Sequence, residues 1–314
     1  MSRSGFHPDA PNAVLYGDNI DALRRMPDEC VSLIYIDPPF NTGRSQRRQN
    51  LKTVRNEVGT RTGFKGQQYQ NIKGDLFSYD DAFADYWEFL APRLEHAWRI
   101  LRDDGSLYLH LDYREAHYAK VLLDALFGRD NFLNEIIWAY DYGARAKNKW
   151  PTKHDNILVY VKDKTKYHFS NEDVDREPYM APGLVTAEKA AKGKLPTDVW
   201  WHTIVSPTGK EKTGYPTQKP EGILRRIVQA SSRPGTWVMD FFAGSGTTGA
   251  VCAALGRRYL LIDSHEDAIE IMRTRLEGGN LLLGEPKFFT VDDVSSLLDL
   301  PSNEEVTRDL GPNA

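Results

Sequence analysis

The sequence predicts an α/β protein built on a Rossmann-like, mostly parallel sheet of seven strands with helices on both faces. Three observations carry that expectation. Short apolar runs of β character alternate with segments of helical period along most of the chain. One late strand runs through a glycine-rich turn directly into a helix. The 314 residues are 40% hydrophobic, enough for a large α/β domain carrying an inserted lobe.

The elements follow in order. Ala13–Gly17 is a short strand and turn, and Ile20, Leu23 and Met26 then fall at helical spacing. Val31–Ile36 (VSLIYI) is a β-rich run that must stop at Asp37-Pro38-Pro39, because two prolines cannot continue a central strand. From Pro38 to about Asp75 no period is evident, so a long loop is expected. Trp87, Leu90, Leu94, Ala97 and Leu101, after Phe83, step by three or four along a helix predicted over Tyr79–Arg102. Ser106–Leu111 reads as a strand, Tyr113–Phe127 as a helix stopped by Gly128, and Phe132–Tyr140 and Asn156–Val161 as two more strands. Helix is expected over Thr217–Arg233, Gly246–Leu255 and Glu266–Leu276, and strand over Thr236–Asp240 and Arg258–Asp263. The intervening 141–215 lose clear period and read as an insertion, its segment 154–162 returning to the sheet. Residues 1–140 and 216–285 then form one domain, and 286–314 an acidic tail, partly ordered near Val294–Leu300.

No apolar run is long enough to span a bilayer, and the N-terminus has no signal-like apolar stretch. Cys30 and Cys252 are far apart without metal-ligand spacing, so a reducing cytoplasm and no metal are expected. The net charge of −4 is uneven: residues 41–74 carry +7 and the remainder −11. A basic segment on an acidic body is the footprint of a polyanion site, although a solvated loop has the same composition.

Asp240-Phe-Phe-Ala-Gly-Ser-Gly-Thr-Thr-Gly249 satisfies G-x-G-x-x-G through Gly244, Gly246 and Gly249, and Asp263 ends the next strand. Such glycines let the backbone approach a ligand closely, and the spaced acid can accept from ribose hydroxyls. Any nucleoside cofactor suits this pattern, NAD included. Two details favour S-adenosylmethionine. Asp240 stands just ahead of the glycines, where it can face a cationic ammonium or orient the loop. The unit also comes last in the chain, so strands from the N-terminal half must complete it.

Asp37-Pro38-Pro39-Phe40 lies at the C-terminal end of a central strand, where open α/β sheets bind ligands. The lone pair of an exocyclic base amine is delocalised into the ring. Two acceptors aimed at its N–H bonds would localise it, namely the Asp37 carboxylate and a backbone carbonyl of the proline turn. Phe40 offers a flat face for an extruded base. A rigid turn with an incidental aromatic is the alternative, and the tetrapeptide alone does not decide.

Together these segments resemble the β subclass of amino-group DNA methyltransferases over about Leu15–Leu276. Asp37–Phe40, followed by Asn41, resembles that family's catalytic motif, and Phe241–Thr248 its cofactor motif. Pro216-Thr217-Gln218-Lys219-Pro220 resembles the helix-entry motif that helps close the cofactor pocket. Gly105–Asp112, Asn134–Trp138 and His154–Lys162 are also similar to family segments.

The resemblance implies a class I methyltransferase fold with circularly permuted connectivity. The Ala13 strand would lie beside the Arg258 strand, and the Thr236 strand beside the Val31 strand. It implies cofactor contacts from Asp18, Asn19, Thr217, Gln218, Lys219, Asp240, Phe242, Ala243, Gly244, Ser245, Gly246, Thr247, Thr248 and Asp263. It makes 141–215 a target-recognition region, with Tyr142, Arg145, Lys147, Lys149, Trp150 and Lys153 as candidates for contact with double-stranded DNA. The basic segment, through Arg44, Arg47, Arg48 and Lys52, would clamp phosphates or fill the gap left by a flipped base.

An aspartate-led tetrapeptide leans towards adenine N6 rather than cytosine N4. The size suits a stand-alone enzyme or one paired with a separate restriction endonuclease, and relatives are often homodimers. An NAD-dependent oxidoreductase is the rival from another class, and it leaves the D-P-P-F turn and the basic segment unexplained. A non-catalytic DNA-binding relative is the third reading, and the presence of all the key residues speaks against it.

Overall fold

The computed structural model describes residues 5–39, 86–143, 145–206, 208–277 and 283–299, and the backbone of 46–55, 61–62 and 68–79. The chain opens with β1 (Gly5–Phe6), β2 (Ala13–Tyr16) and α1 (Asn19–Arg25). Asp18 starts α1 by accepting the Ile20 N–H at 3.2 Å, a standard N-cap. All six residues of β3 (Val31–Ile36) are buried, as an apolar strand covered on both faces requires. Next come β4 (Gln46–Arg55), β5 (Arg61–Thr62), β6 (Gln68–Tyr79), α2 (Tyr86–Ile100), β7 (Leu101–Leu111) and α3 (Ala116–Phe127). Then follow β8 (Phe132–Ala139), β9 (His154–Val161), α4 (Ala187–Lys192), β10 (Val199–Trp201) and α5 (Glu221–Ser231). The final elements are β11 (Trp237–Asp240), α6 (Thr247–Ala254), β12 (Arg258–Asp263), α7 (Glu266–Leu276), β13 (Lys287–Thr290) and β14 (Leu298–Asp299).

The main sheet has nine strands in the order β10-β8-β9-β7-β3-β11-β12-β2-β13. All seven expected strands are present. The two additions, β10 and β13, are short edge strands of three and four residues, too brief to show a period. Only β9 runs antiparallel to its neighbours, β7 and β8. The permuted pairing is as expected: Val238 pairs with Leu33 across β11 and β3, and Leu260 with Ala13 across β12 and β2.

Each face of the sheet carries one apolar core. Leu90, Leu94 and Ala97 of α2 cover one face with Leu23, Leu109 and Leu260. Ile223, Leu224 and Ile227 of α5 cover the other with Tyr35, Val238 and Leu261.

Four expectations change. The segment after Pro38 is not a structureless loop: β4, β5 and β6 form a small antiparallel sheet, with β4 pairing β6 from Gln46–Tyr79 to Arg55–Tyr69. Its strands are polar and basic, so no apolar alternation marked them. The helix expected over Tyr79–Arg102 is described over Tyr86–Ile100; Tyr79 belongs to β6 and Leu101 to β7, while Phe83 lies outside the described residues. The insertion gives the sheet one strand more than the expected return over 154–162, since β10 lies parallel to β8. The tail includes an ordered part beginning at β13. A 3₁₀ segment, Val291–Leu297, then buries Val291, Val294 and Leu297 against the α2 face, and β14 pairs with β1. The order expected near Val294–Leu300 therefore begins earlier, at Lys287.

Candidate active site

Strands β3, β11 and β12 end side by side, and their C-terminal turns enclose a cavity of about 360 Å³. Asp37, Pro38 and Pro39 line one side, the turn after β11 another, and Asp263 at the end of β12 a third. This is the crevice at which doubly wound sheets bind ligands.

The glycine turn is shaped for close approach. Gly246 adopts φ +71° as the cap of α6, and a Cβ there would fall 2.6 Å from Met272 Cγ. Gly249 lets α6 press onto β12, where a Cβ would stand 2.6 Å from Leu261 Cδ1. The turn is held by its acids. Asp240 accepts from Thr248 Oγ1 at 2.6 Å and from the Phe242 N–H at 3.1 Å, so it orients the loop. Asp263 accepts from the N–H groups of Gly244 at 2.8 Å and His265 at 2.9 Å. Each carboxylate oxygen has two lone pairs, so Asp263 keeps capacity for a ligand hydroxyl.

Burial pushes the Asp240 carboxyl up to about 7, with the negative charges of Asp37 and Asp263 acting in the same direction. Burial also raises Asp263, against the pull of the His265 and Gly244 N–H groups. Because the folded Asp240 binds its proton more tightly than an ordinary aspartate, its contribution to stability is complete below pH 3.8. It is lost as the pH rises through about 7. Thermal melting should therefore show Asp240→Asn gaining on the wild type as the pH goes from about 4 to about 8. Parallel melting curves across that range would reject this assignment.

Asp37 is fixed from one side. Lys219 forms an ion pair with Asp37 Oδ2, across 182 residues of sequence. Asp37 Oδ1 is buried and has no hydrogen-bond partner among the described residues. Such an oxygen is costly unless a ligand group completes it. Thr247 Oγ1 in turn donates to the Lys219 carbonyl at 3.1 Å, tying the helix-entry segment to the cofactor turn.

Asp18 and Asn19 are held by an arginine that sequence reasoning missed. Arg93 of α2 is buried, and its Nε donates to Asn19 Oδ1 at 2.6 Å while Nη2 meets Asp18 Oδ1 at 2.7 Å. Asn19 Nδ2 then donates to the Phe241 carbonyl at 2.6 Å. One chain of bonds thus joins α2, α1 and the turn after β11. The signal was available: Arg93 falls on the apolar stripe of α2, between Leu90 and Leu94, and a cation there needs a partner.

Tyr35, Phe89 and Tyr215 also line the cavity and were not foreseen. Behind Tyr35 a buried polar row crosses the sheet. Its hydroxyl lies 2.8 Å from His110 Nδ1, His110 Nε2 lies 3.3 Å from Asp155 Oδ2, and Tyr140 donates to Asp155 Oδ1 at 3.1 Å.

Of the expected cofactor residues, Asp18, Asn19, Thr217, Lys219, Asp240, Phe242, Ala243, Ser245, Thr247, Thr248 and Asp263 line this cavity. Gly244 and Gly246 shape the turn behind it. Gln218 does not face it: its side chain accepts from the Thr213 N–H at 2.8 Å and donates to the Glu211 carbonyl at 2.6 Å, bracing the preceding loop. Its amide can satisfy all of this locally, which sequence spacing does not reveal. Phe40 and Arg44 lie outside the described residues, and Arg47, Arg48 and Lys52 are described only as backbone of β4. Arg145, Lys147 and Lys149 are exposed on the β8–β9 connection, while Lys153 is drawn into it by Asp141 at 3.6 Å.

Four carboxylates, those of Asp18, Asp37, Asp240 and Asp263, face this cavity with two strong cations, Arg93 and Lys219. That donor set fits S-adenosylmethionine: acids for its cationic centres and ribose hydroxyls, and apolar walls such as Phe241 and Phe242 for a purine. Among the described residues no His, Cys, Asp and Glu cluster could hold a metal, and no helix is long and apolar enough to cross a membrane.

A DNA methylase family model, that of the N6 and N4 methylases, matches residues 31–274. DNA adenine methyltransferase YhdJ of Escherichia coli (strain K12) is 30% identical over 288 residues, covering 88% of this chain and 87% of its own. Type II methyltransferase M.HpaI of Haemophilus parainfluenzae is 30% identical over 258 residues, covering 82% and 72%. Among solved structures, the cytosine-N4-specific PvuII DNA methyltransferase superposes with a TM-score of 0.60 at 13% identity, over 93% of this chain and 94% of that one. The M1.HpyAVI–SAM complex gives 0.53 at 18% identity, over 84% and 98%. The fold is therefore the class I methyltransferase fold expected from the motifs, and the oxidoreductase alternative has no support. Matching the family model over 31–274 and 30% identical to one of its relatives over most of both lengths, the chain belongs to the N6/N4 DNA methylase family.

Proposed function

We propose that this enzyme transfers the methyl group of S-adenosylmethionine to N6 of adenine in double-stranded DNA, acting on a base turned out of the helix. The observation that carries this reading is Asp37, one carboxylate oxygen held by Lys219 and the other buried with no hydrogen-bond partner among the described residues. The bound cofactor supplies an electrophilic methyl group on a cationic sulfur.

The chain's own residues do the rest. Asp37 Oδ1 accepts one N–H of the target amine, and a carbonyl of the Pro38-Pro39 turn accepts the other. The nitrogen becomes pyramidal and its lone pair points at the methyl carbon. The cofactor would supply the methyl group to that lone pair, and the nitrogen would shed a proton for which Asp37 is the adjacent acceptor. Lys219 keeps Asp37 aimed, so the rate gain comes from positioning and from stabilising charge that develops on nitrogen. Phe40 stacks on the extruded base.

Asp18, Asn19 and Asp263 hold the nucleoside, and Asp240 holds the turn. Residues 141–215 read the sequence, and the basic strands β4–β6 engage the backbone. Work on DNA in the cytoplasm, a cognate restriction endonuclease and a second copy as partner complete the reading.

Mass analysis of nucleosides from DNA treated with the enzyme and S-adenosylmethionine tests it. N6-methyladenine is expected. N4-methylcytosine alone would reject the base, and no modified base at all would reject the function. Single-molecule sequencing of the same DNA then identifies the site. Replacing any one of Arg145, Lys147 or Lys149 by alanine should flatten the slope of log K against log salt by about 0.9, if each neutralises one phosphate. An unchanged slope in all three variants would place DNA elsewhere.

A further inference from the structure

The connection between β8 and β9 carries a tryptophan that is almost wholly exposed among the described residues. Trp150 is 93% exposed, whereas Trp138 and Trp200 nearby are buried. The connection is paired at its base, with the Tyr140 N–H donating to the Lys153 carbonyl at 2.9 Å. It also leaves the sheet at the catalytic edge. Asn156 of β9 pairs with Leu111 at the end of β7, and Leu109 of β7 pairs with Ile36, next to Asp37.

Two strand spacings separate β9 from β3, a lateral distance of roughly 10 Å. Lys149 leans back over this edge, its Nζ 5.9 Å from the ring of Tyr113 just beyond β7. Trp150 therefore stands beside the place where a base would enter. Arg145, Lys147 and Lys149 put exposed positive charge on the same connection within five residues of it, and Pro151 stiffens its backbone. Trp201 is 73% exposed at the same edge, but β10 lies two strands further from β3.

We propose that Trp150 enters the DNA stack at the target pair and occupies the space that the extruded base leaves. The inference rests on the DNA-modifying reading above. An indole is flat and apolar on both faces, so it can stack between base pairs, while the flanking cations hold the phosphates on either side. Its exposure in the free protein then has a purpose, because the surface that covers it is the DNA.

The test compares two duplexes carrying the site found by sequencing. In one the target base is paired; in the other it faces an abasic position, so extrusion costs little. On the paired duplex, Trp150→Ala should lower kcat/KM by about 10–100-fold and Trp150→Phe by less, as expected for a lost stacking contact. On the abasic duplex Trp150→Ala should come within about threefold of wild type, since no pair needs to be opened. Calorimetry should give unchanged S-adenosylmethionine affinity for both variants.

An equal loss on both duplexes would mean that Trp150 only adds affinity, and no loss on either would mean that it stays outside; each overturns the proposal. A change in sedimentation on Trp150→Ala would make the residue a contact between copies, which also overturns it. If the wild-type enzyme methylates neither duplex, it is the function that fails, and the two failures are distinct.

Discussion

Asp37→Ala is expected to lower methyl transfer by about 10³-fold or more while largely sparing DNA binding, a loss of about 4 kcal/mol of transition-state stabilisation. The expectation follows from what the carboxylate would be doing. Its Oδ1 is buried and has no partner among the described residues, so in the free enzyme that oxygen is held ready at a cost. The interaction it makes strengthens as the amine becomes cationic, so its loss falls on kcat rather than on KM. S-adenosylmethionine affinity measured by calorimetry should change little.

Asp37→Asn keeps an acceptor oxygen but loses the charge and the pairing with Lys219, and should retain more activity than the alanine variant. Because the Asp37–Lys219 pair is largely shielded from water, both variants should also melt earlier than wild type. Activity is therefore compared below their melting temperatures. Turnover of Asp37→Ala equal to wild type would refute the assigned role.

The second large effect is expected at Arg93. Arg93→Ala should destabilise the fold by about 2–4 kcal/mol and weaken S-adenosylmethionine binding by about tenfold or more. The guanidinium serves three acceptors at once: Asn19 Oδ1 at 2.6 Å, Asp18 Oδ1 at 2.7 Å and the Phe89 carbonyl at 2.6 Å. It also lies 3.9 Å from the centroid of the Phe89 ring.

Removing it strips partners from buried Asn19, which is the link to the Phe241 carbonyl. The Asp18 part of the effect is small, because that carboxylate is half exposed and screened by water. Arg93→Lys should recover little, since one ammonium cannot reproduce the guanidinium fork. Denaturant unfolding and calorimetry read the two effects separately. A variant with wild-type stability and cofactor affinity would show the arginine to be incidental.

Much of the architecture was legible because it is written in local pattern. Val31–Ile36 is apolar at every position, so a central strand covered on both faces follows. Pro38 and Pro39 must end that strand, and the glycines of 244–249 demand a turn between strand and helix. Gln46–Tyr79 was illegible for the opposite reason. Its strands are polar and basic, so they lack the alternation that burial on one face imposes. Order near Val294–Leu300 was read from the sequence, but its start at Lys287 was not, because a four-residue edge strand is too short to show a period. Gln218 was misplaced because a motif position specifies a residue type, not the direction of its side chain.

The sequence by itself determined the elements, the two motifs and their order, since periodicity, proline and glycine act over a few residues. It also pointed to Asp37 as the acid proposed to carry the chemistry, through resemblance rather than spacing. Only the tertiary structure decided which groups meet. Asp37 finds Lys219 182 residues away, and Asn19 finds Phe241 222 residues away. Those meetings depend on the permuted order that puts β3 beside β11 and β12 beside β2. Pairing between distant strands is set by the burial of both sheet faces together, and no local segment of the chain contains that information.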